Sequence, residues 1–184
     1  MKIVALTAPS GAGKTTIARR LTQAIPETRF SISATTRAPR PGELDGTDYF
    51  FLSEDEFRRR VEAGDFIEFE TYNGHLYGTL RSEIDRVAAE GIALLDIDVR
   101  GALNVKRLYD GDAFTLFIKP PSLATLAERL RNRQTETQSS LTARLERAEM
   151  EMAYATDFDA VVVNDDLEAA VSETVERVQA FLGS

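Results

Sequence analysis

A chain of 184 residues with 22 Lys and Arg against 30 Asp and Glu carries a formal net charge of −8, which argues against broad affinity for a nucleic-acid backbone, because neutralising phosphates needs surplus cations. It has no cysteine, so disulfides, thiolate catalysis and cysteine-based zinc sites are excluded. Its 43% apolar content is that of a soluble globular domain, and no run approaches the ~20 apolar residues of a membrane span.

"MKIVALTAPSG" begins with a short apolar run leading into glycine and lysine. It reads as a buried strand, since it lacks the h-region length and cleavage site of a secretory leader, and the expectation is a cytoplasmic protein. A helix follows from Lys14 to about Ala24, ended by Pro26. "RFSISATT" alternates like one strand, and "TTRAPRPGELDGTDYFF" is a Pro/Gly-rich loop returning to a strand at Tyr49–Leu52. Ser53 caps the helix "EDEFRRRVEAG", with Glu56 at the capping-box position; Arg58, Arg59 and Arg60 read as a solvated helix face. "FIEFETYNGHLYGT" is a hairpin whose Asn73-Gly74 suits a type I′ turn.

Beyond it, helix and strand alternate again: "RSEIDRVAAEG", the buried strand "IALLDID", a helix near 99–108, and the strand "DAFTLFIKPP". Arginine-rich helices at about 122–132 and 140–155 flank the polar stretch "NRQTETQSS". "FDAVVVND" supplies a last strand and "DLEAAVSETVERVQAFL" an amphipathic closing helix. The pattern predicts an α/β fold: a parallel-sheet core (1–32, 84–124, 157–184) with helices on both faces, a mixed-β insertion (33–83) and a helical one (125–156).

The stretch "TAPSGAGKTT" carries the parts of a phosphate-binding loop between strand and helix. Gly11 and Gly13 let successive backbone N–H groups turn inward as an anion nest, and the helix N-terminus adds positive potential. Lys14 is placed to reach the β- and γ-phosphates of a nucleotide, and the Thr15 hydroxyl to ligate Mg²⁺. A plain Gly-rich turn would explain the glycines but not Lys-Thr directly after them. Ala8 stands where the pattern begins with glycine, which is tolerable if the position needs only a small side chain at negative φ.

The segments "APSGAGKTT", "SISATTRAPRPGELDGTDYFF", "GDFIEFETYNGHLYGT", "LLDIDVRGA", "FIKPPS", "RLRNRQTET" and "VVVNDDLEAA" fall in an order and spacing that closely resembles the guanylate kinase family over nearly the whole chain. The resemblance implies a P-loop nucleoside monophosphate kinase that phosphorylates GMP, with deoxy-GMP as a further acceptor, using ATP and Mg²⁺. It makes 33–83 the GMP-binding lobe and 125–156 a lid, and calls for neither a nucleic-acid nor a membrane partner. ATP binding falls to Ala8, Pro9, Ser10, Gly11, Ala12, Gly13, Lys14, Thr15 and Thr16, with Asn164 near the adenine; an acidic cap on the last helix explains "NDDLEAA" equally well.

On the acceptor side the resemblance gives Arg37, Arg40, Tyr49 and Tyr77 to the GMP phosphate, and two guanidinium groups suit bidentate phosphate binding. Tyr77 directly precedes Gly78, also placed at GMP. Glu68 is assigned to guanine, whose N1–H and N2–H₂ edge matches a carboxylate; adenine lacks that donor pair. Ser33, Thr79 and Asp98 complete this pocket, while Ala34 stands where some relatives carry serine. Asp96 and Asp98 read as sharing one strand face, with Asp96 at a position suited to ordering Mg²⁺ through water. Arg129, Arg133 and Arg144 match lid arginines that stabilise the transferring phosphoryl group together with Lys14 and Arg37. Gln134 replaces a common glycine beside Arg133, a change expected to alter lid closing. Two other classes fit parts of the pattern. A scaffold domain of the same fold that binds phosphorylated peptides would not need Lys14, Thr15 and the lid arginines, and a kinase for another acceptor would not need Glu68.

Overall fold

A strand apolar on every residue needs both its faces covered, and β1 (Lys2–Thr7) obtains this by sending Ile3 and Ala5 into one buried cluster and Val4 and Leu6 into another. The computed structural model describes residues 1–72, 74–132 and 138–183. After β1 come α1 (Lys14–Ala24), β2 (Thr28–Phe30), β3 (Ala34–Thr35) and β4 (Phe50–Phe51). Then follow α2 (Glu54–Glu62), β5 (Phe66–Tyr72), β6 (His75–Leu80) and α3 (Arg81–Glu90). The chain continues with β7 (Ile92–Asp96), α4 (Val99–Tyr109), β8 (Ala113–Lys119) and α5 (Leu123–Arg131). It closes with α6 (Gln138–Met152), β9 (Ala160–Val163) and α7 (Leu167–Leu182).

Five strands form a parallel sheet in the order β2-β7-β1-β8-β9. Ile84, Val87, Ala102 and Val105 of α3 and α4 seal the face bearing Ile3 and Ala5. Ile17, Leu21, Ala170 and Val178 of α1 and α7 seal the other. The chain runs from β1 toward one edge and later crosses back for β8 and β9, so the strand order reverses beside β1. Ligands of such sheets bind beyond the carboxyl ends of the strands at that reversal.

A second, mixed sheet, β4-β3-β6-β5, is built from residues between 34 and 80. Helix α2 covers it through Phe57, which is fully buried and stacks on Phe66 with ring centroids 4.3 Å apart; burial of one such ring contributes about 1.5–3 kcal/mol. Ser53 caps α2 by accepting the Glu56 N–H at 3.2 Å. The Glu56 carboxylate is engaged by Arg59 and Arg60, so its charge supports the helix face rather than closing a reciprocal capping box. Leu126 and Leu130 of α5 pack on Leu141 and Ala148 of α6 as a separate small core.

Two sequence expectations change. "RFSISATT" is not one strand: β2 pairs with β7 in the parallel sheet and β3 with β4 and β6 in the mixed one. The transfer occurs at Ile32. Ser31 N–H still donates to Leu94 O at 2.9 Å, Ser33 O already accepts from Phe50 N–H at 2.9 Å, and the Ile32 N–H between them donates to the Glu83 carboxylate at 3.3 Å. The second change concerns Asp96 and Asp98, which do not share a strand face. β7 ends at Asp96, and Asp98 turns away to cap α4, accepting the Gly101 N–H at 2.7 Å, because a free helix N-terminus attracts a short carboxylate. Asn73 lies outside the described residues; Gly74 beyond it takes φ 78°, and Tyr72 pairs with His75.

Candidate active site

The phosphate loop leaves β1 and enters α1 through two left-handed residues, Gly11 at φ 93° and Gly13 at φ 95°. A side chain at either would be strained, and a Cβ on Gly13 would also strike the Asn164 amide. Ala12 N–H closes the turn onto Pro9 O at 3.0 Å. The first turn of α1 carries no acidic residue and no side-chain cap, which leaves its orphan N–H groups suited to receive an anion. Ala8 is not among the residues with positive φ, and it packs against the core under the sheet; alanine therefore fits where glycine is usual. Lys14 extends across the mouth of the loop, ion-paired with Asp96 and donating to Ile97 O at 3.1 Å.

Asn164 is buried at the end of β9, and its Nδ2 donates to Ala12 O at 2.7 Å. It braces the loop from beneath. Above the loop, Arg144 of α6 donates to the Ser10 hydroxyl at 3.0 Å. Arg129 Nη2 reaches Asp165 O at 3.4 Å, away from the cleft lining. Arg133 and Gln134 lie outside the described residues.

Facing the loop across a cavity of about 500 Å³ is the mixed sheet. Ala8, Pro9, Ser10, Gly11, Gly13, Lys14, Thr15 and Thr16 line one side, and Ser33, Tyr49, Glu68, Tyr77, Gly78 and Asp98 the other. A register shift between Phe66 and Glu68 sets Glu68 opposite Thr79 on β6, and Thr79 Oγ1 donates to Glu68 Oε1 at 2.6 Å. Burial raises the Glu68 carboxyl to about 7, helped by the nearby charges of Asp98 and Glu70 and opposed by the Thr79 hydrogen bond. Thr79 itself is buried behind Glu68. Gly78 has no room for a side chain, since a Cβ would sit 2.7 Å from Phe66 and 2.8 Å from Glu68 O.

Arg37 sits beside the Tyr49 and Phe51 rings and forms a bidentate ion pair with Glu43, both contacts at 2.9 Å. Hydrogen bonding to Arg37 holds the Glu43 carboxyl below the usual carboxylate range. Glu43 also accepts the Arg40 N–H at 2.7 Å, which fixes the bend of the loop. Arg40 is exposed, and neither its side chain nor that of Arg37, which is held by Glu43, is among those lining the cleft. Tyr49 and Tyr77 meet edge to face with centroids 6.1 Å apart, and burial raises the Tyr49 hydroxyl.

Three residues in or beside the cleft are unassigned in the sequence: Glu43 and Gly101, which touch Arg37 and crowd Glu68, and Glu151 of the lining. Glu43 stood in the quoted "RPGE", where its spacing from Arg37 could have suggested an ion pair. Gly101 follows Asp98 by three residues, and a Cβ there would lie 2.5 Å from Glu68 Cγ. Arg147, three residues after Arg144 on α6 as the sequence spacing has it, lines the cleft together with Glu151, and only the Glu151 contact has no local signal.

A parallel sheet with a phosphate loop at its order reversal defines a P-loop nucleotide-binding fold. A shikimate kinase from Bacteroides thetaiotaomicron shares that fold at TM-score 0.50 and 16% identity, over 100% of this chain and 99% of that one. More specific matches follow. The family model for guanylate kinase matches residues 1–181. The guanylate kinase of Salinibacter ruber is 60% identical over 183 residues, covering 99% of this chain and 97% of the relative. That of Thermotoga maritima is 47% identical over 173 residues, covering 94% and 83%. The crystal structure of guanylate kinase from Anaplasma phagocytophilum is 33% identical with TM-score 0.70, over 98% of this chain and 84% of that one. The chain belongs to the guanylate kinase family, whose function is the phosphorylation of GMP to GDP.

Proposed function

We propose that this chain is a cytoplasmic, Mg²⁺-dependent enzyme transferring the γ-phosphoryl group of ATP to GMP and deoxy-GMP, with ATP on the loop 8–16 and GMP on the mixed-sheet lobe 33–83. The observation that carries the assignment is that Lys14 and the open α1 N-terminus share one cavity with Glu68 and Tyr77. A GMP phosphate oxygen attacks the γ-phosphorus, the bond to the β,γ-bridging oxygen breaks, and ADP departs. Lys14 and Arg144 neutralise charge on the migrating group, with Arg129 and Arg133 brought in as the lid 125–156 closes. Tyr49 and Tyr77 in the cleft, with Arg37 and Arg40 drawn in from the adjoining loop, hold the acceptor phosphate, while Glu68, positioned by Thr79 with Ser33 and Asp98 nearby, reads guanine.

The Thr15 hydroxyl and the Asp96 carboxylate are hard oxygen donors suited to Mg²⁺. Among the described residues no cluster of three His, Asp or Glu side chains that could hold a metal occurs, so Thr15 and Asp96 would hold the ion together with the nucleotide phosphates. Bound there, Mg²⁺ supplies charge neutralisation on the β- and γ-phosphates. No helix among the described residues is long and apolar enough to cross a membrane. The test is ADP release with ATP and each of GMP, dGMP, AMP, CMP and UMP, with and without Mg²⁺. Turnover should need the metal and favour GMP; activity with AMP equal to that with GMP overturns the role of Glu68.

A further inference from the structure

Arg147 lies one turn beyond Arg144 on α6 and donates in two directions. Its Nη2 reaches Glu70 Oε2 on β5 at 3.1 Å, and its Nε reaches Glu151 Oε1 on its own helix at 2.8 Å. Glu70 belongs to the mixed sheet, two residues past Glu68, and all three ionic residues line the cleft. Helix α6 therefore touches the phosphate loop through Arg144–Ser10 and the opposite wall through Arg147–Glu70. We infer that Arg147 is a positioning residue that couples the two nucleotide sites, because the Glu70–Arg147–Glu151 bridge makes approach of α6 to the phosphate loop and approach of the mixed sheet to the core one event. This rests on the assignment of GMP to that sheet.

The physical case has two parts. The Arg147 and Glu70 side chains are 48% and 36% exposed, and such pairs add little to global stability, which suits a contact made and broken during turnover. When the cleft opens, Arg147 leaves with Glu151 on α6, and Glu70 stays on one strand with Glu68, which feels the charge of Asp98. Closure returns the guanidinium to Glu70, and its planar fork serves two carboxylates at once. A ligand that draws either wall inward then removes part of the cost of drawing in the other.

The test measures GMP dissociation constants without and with saturating, non-hydrolysable ATP analogue plus Mg²⁺; their ratio is the coupling. For the wild type the ratio should exceed one, and R147A and E70Q should each lower it about three- to fivefold. The double variant should lose no more than either single one, because both remove the same contact. Thermal unfolding accompanies each variant, since a purely structural role would move the melting temperature and leave the ratio alone. A wild-type ratio of one, an unchanged ratio in R147A, or losses that multiply in the double variant overturns the coupling. E68Q separates the two readings: if it binds GMP like the wild type, the GMP assignment fails. If it loses GMP while R147A keeps the full ratio, only the coupling fails.

Discussion

Asn164 Nδ2 donates to Ala12 O across 2.7 Å, joining the last strand of the parallel sheet to the crown of the phosphate loop 152 residues earlier. Ala12 is fully buried and Asn164 nearly so. Removing the amide with N164A leaves a buried carbonyl without its partner, at about 1–3 kcal/mol. The loop should lose its set, so KM for ATP should rise more than KM for GMP while the melting temperature falls. Steady-state kinetics with each nucleotide varied checks this; equal shifts in both KM values would mean that Asn164 braces the whole domain and not the loop.

Glu68 gives a pH dependence with a definite sign. Its carboxyl is raised to about 7 by burial, against an ordinary value near ~4.3 in an unfolded chain. The folded apo protein thus binds this proton more tightly than the unfolded one, and the stability it contributes below ~4.3 is lost as pH rises through about 7. E68Q should accordingly be more stable than the wild type at pH 8, by roughly 1–3 kcal/mol, and near parity at pH 4. On the proposed assignment guanine meets the ionised carboxylate, so GMP binding at pH 6.5 should release a proton and at pH 8.5 should not. Calorimetry in two buffers of different ionisation enthalpy measures that release directly. Buffer-independent heats at pH 6.5 would count against Glu68 meeting guanine as a carboxylate.

Glu43 holds Arg37 through a bidentate pair whose side chains are only 11% and 19% exposed. Replacing it by alanine frees the guanidinium to wander and releases the Arg40 backbone that Glu43 also binds. With Arg37 disordered, E43A should raise KM for GMP by about tenfold, the scale of one lost charge-assisted hydrogen bond. Its KM for ATP should change little. An enzyme with GMP kinetics intact would show that Arg37 reaches the phosphate without help from Glu43.

At Asn164, Glu68 and Glu43 local pattern and long-range packing part company. β1, the phosphate loop and α1 were readable because their signals are contiguous: an apolar run, two glycines, then Lys14 and Thr15. The β5–β6 hairpin was readable for the same reason. The strand drawn through residues 29–36 failed because alternation marks which side chains are covered and says nothing about which sheet supplies the hydrogen bonds. Its two halves find partners in β7 and in β6, and Glu83 takes the one N–H between them. Asp98 illustrates a second limit. Its spacing from Asp96 suited a strand face, but the start of α4 offered its carboxylate the Gly101 N–H. Arg147 and Glu70 are 77 residues apart, and only the packing of α6 against the mixed sheet brings them together.

Gly101 lies in the first turn of α4, where an ordinary glycine-to-alanine change would favour the helix by about 1 kcal/mol. Here the added Cβ would stand 2.5 Å from Glu68 Cγ and 3.2 Å from Asp98 Oδ1. The cheapest relief is rotation of the Glu68 side chain, which costs its hydrogen bond to Thr79 and moves the carboxylate from where guanine would meet it. G101A should therefore fold with stability within about 1 kcal/mol of the wild type, the helical gain offsetting the displaced carboxylate. KM for GMP should nonetheless rise severalfold, with KM for ATP little changed. Melting curves and kinetics on the same preparation separate the two effects. Unaltered GMP kinetics in a stable G101A protein would show that guanine binding tolerates movement of Glu68, and the specificity assigned to that carboxylate would have to reside elsewhere in the cleft.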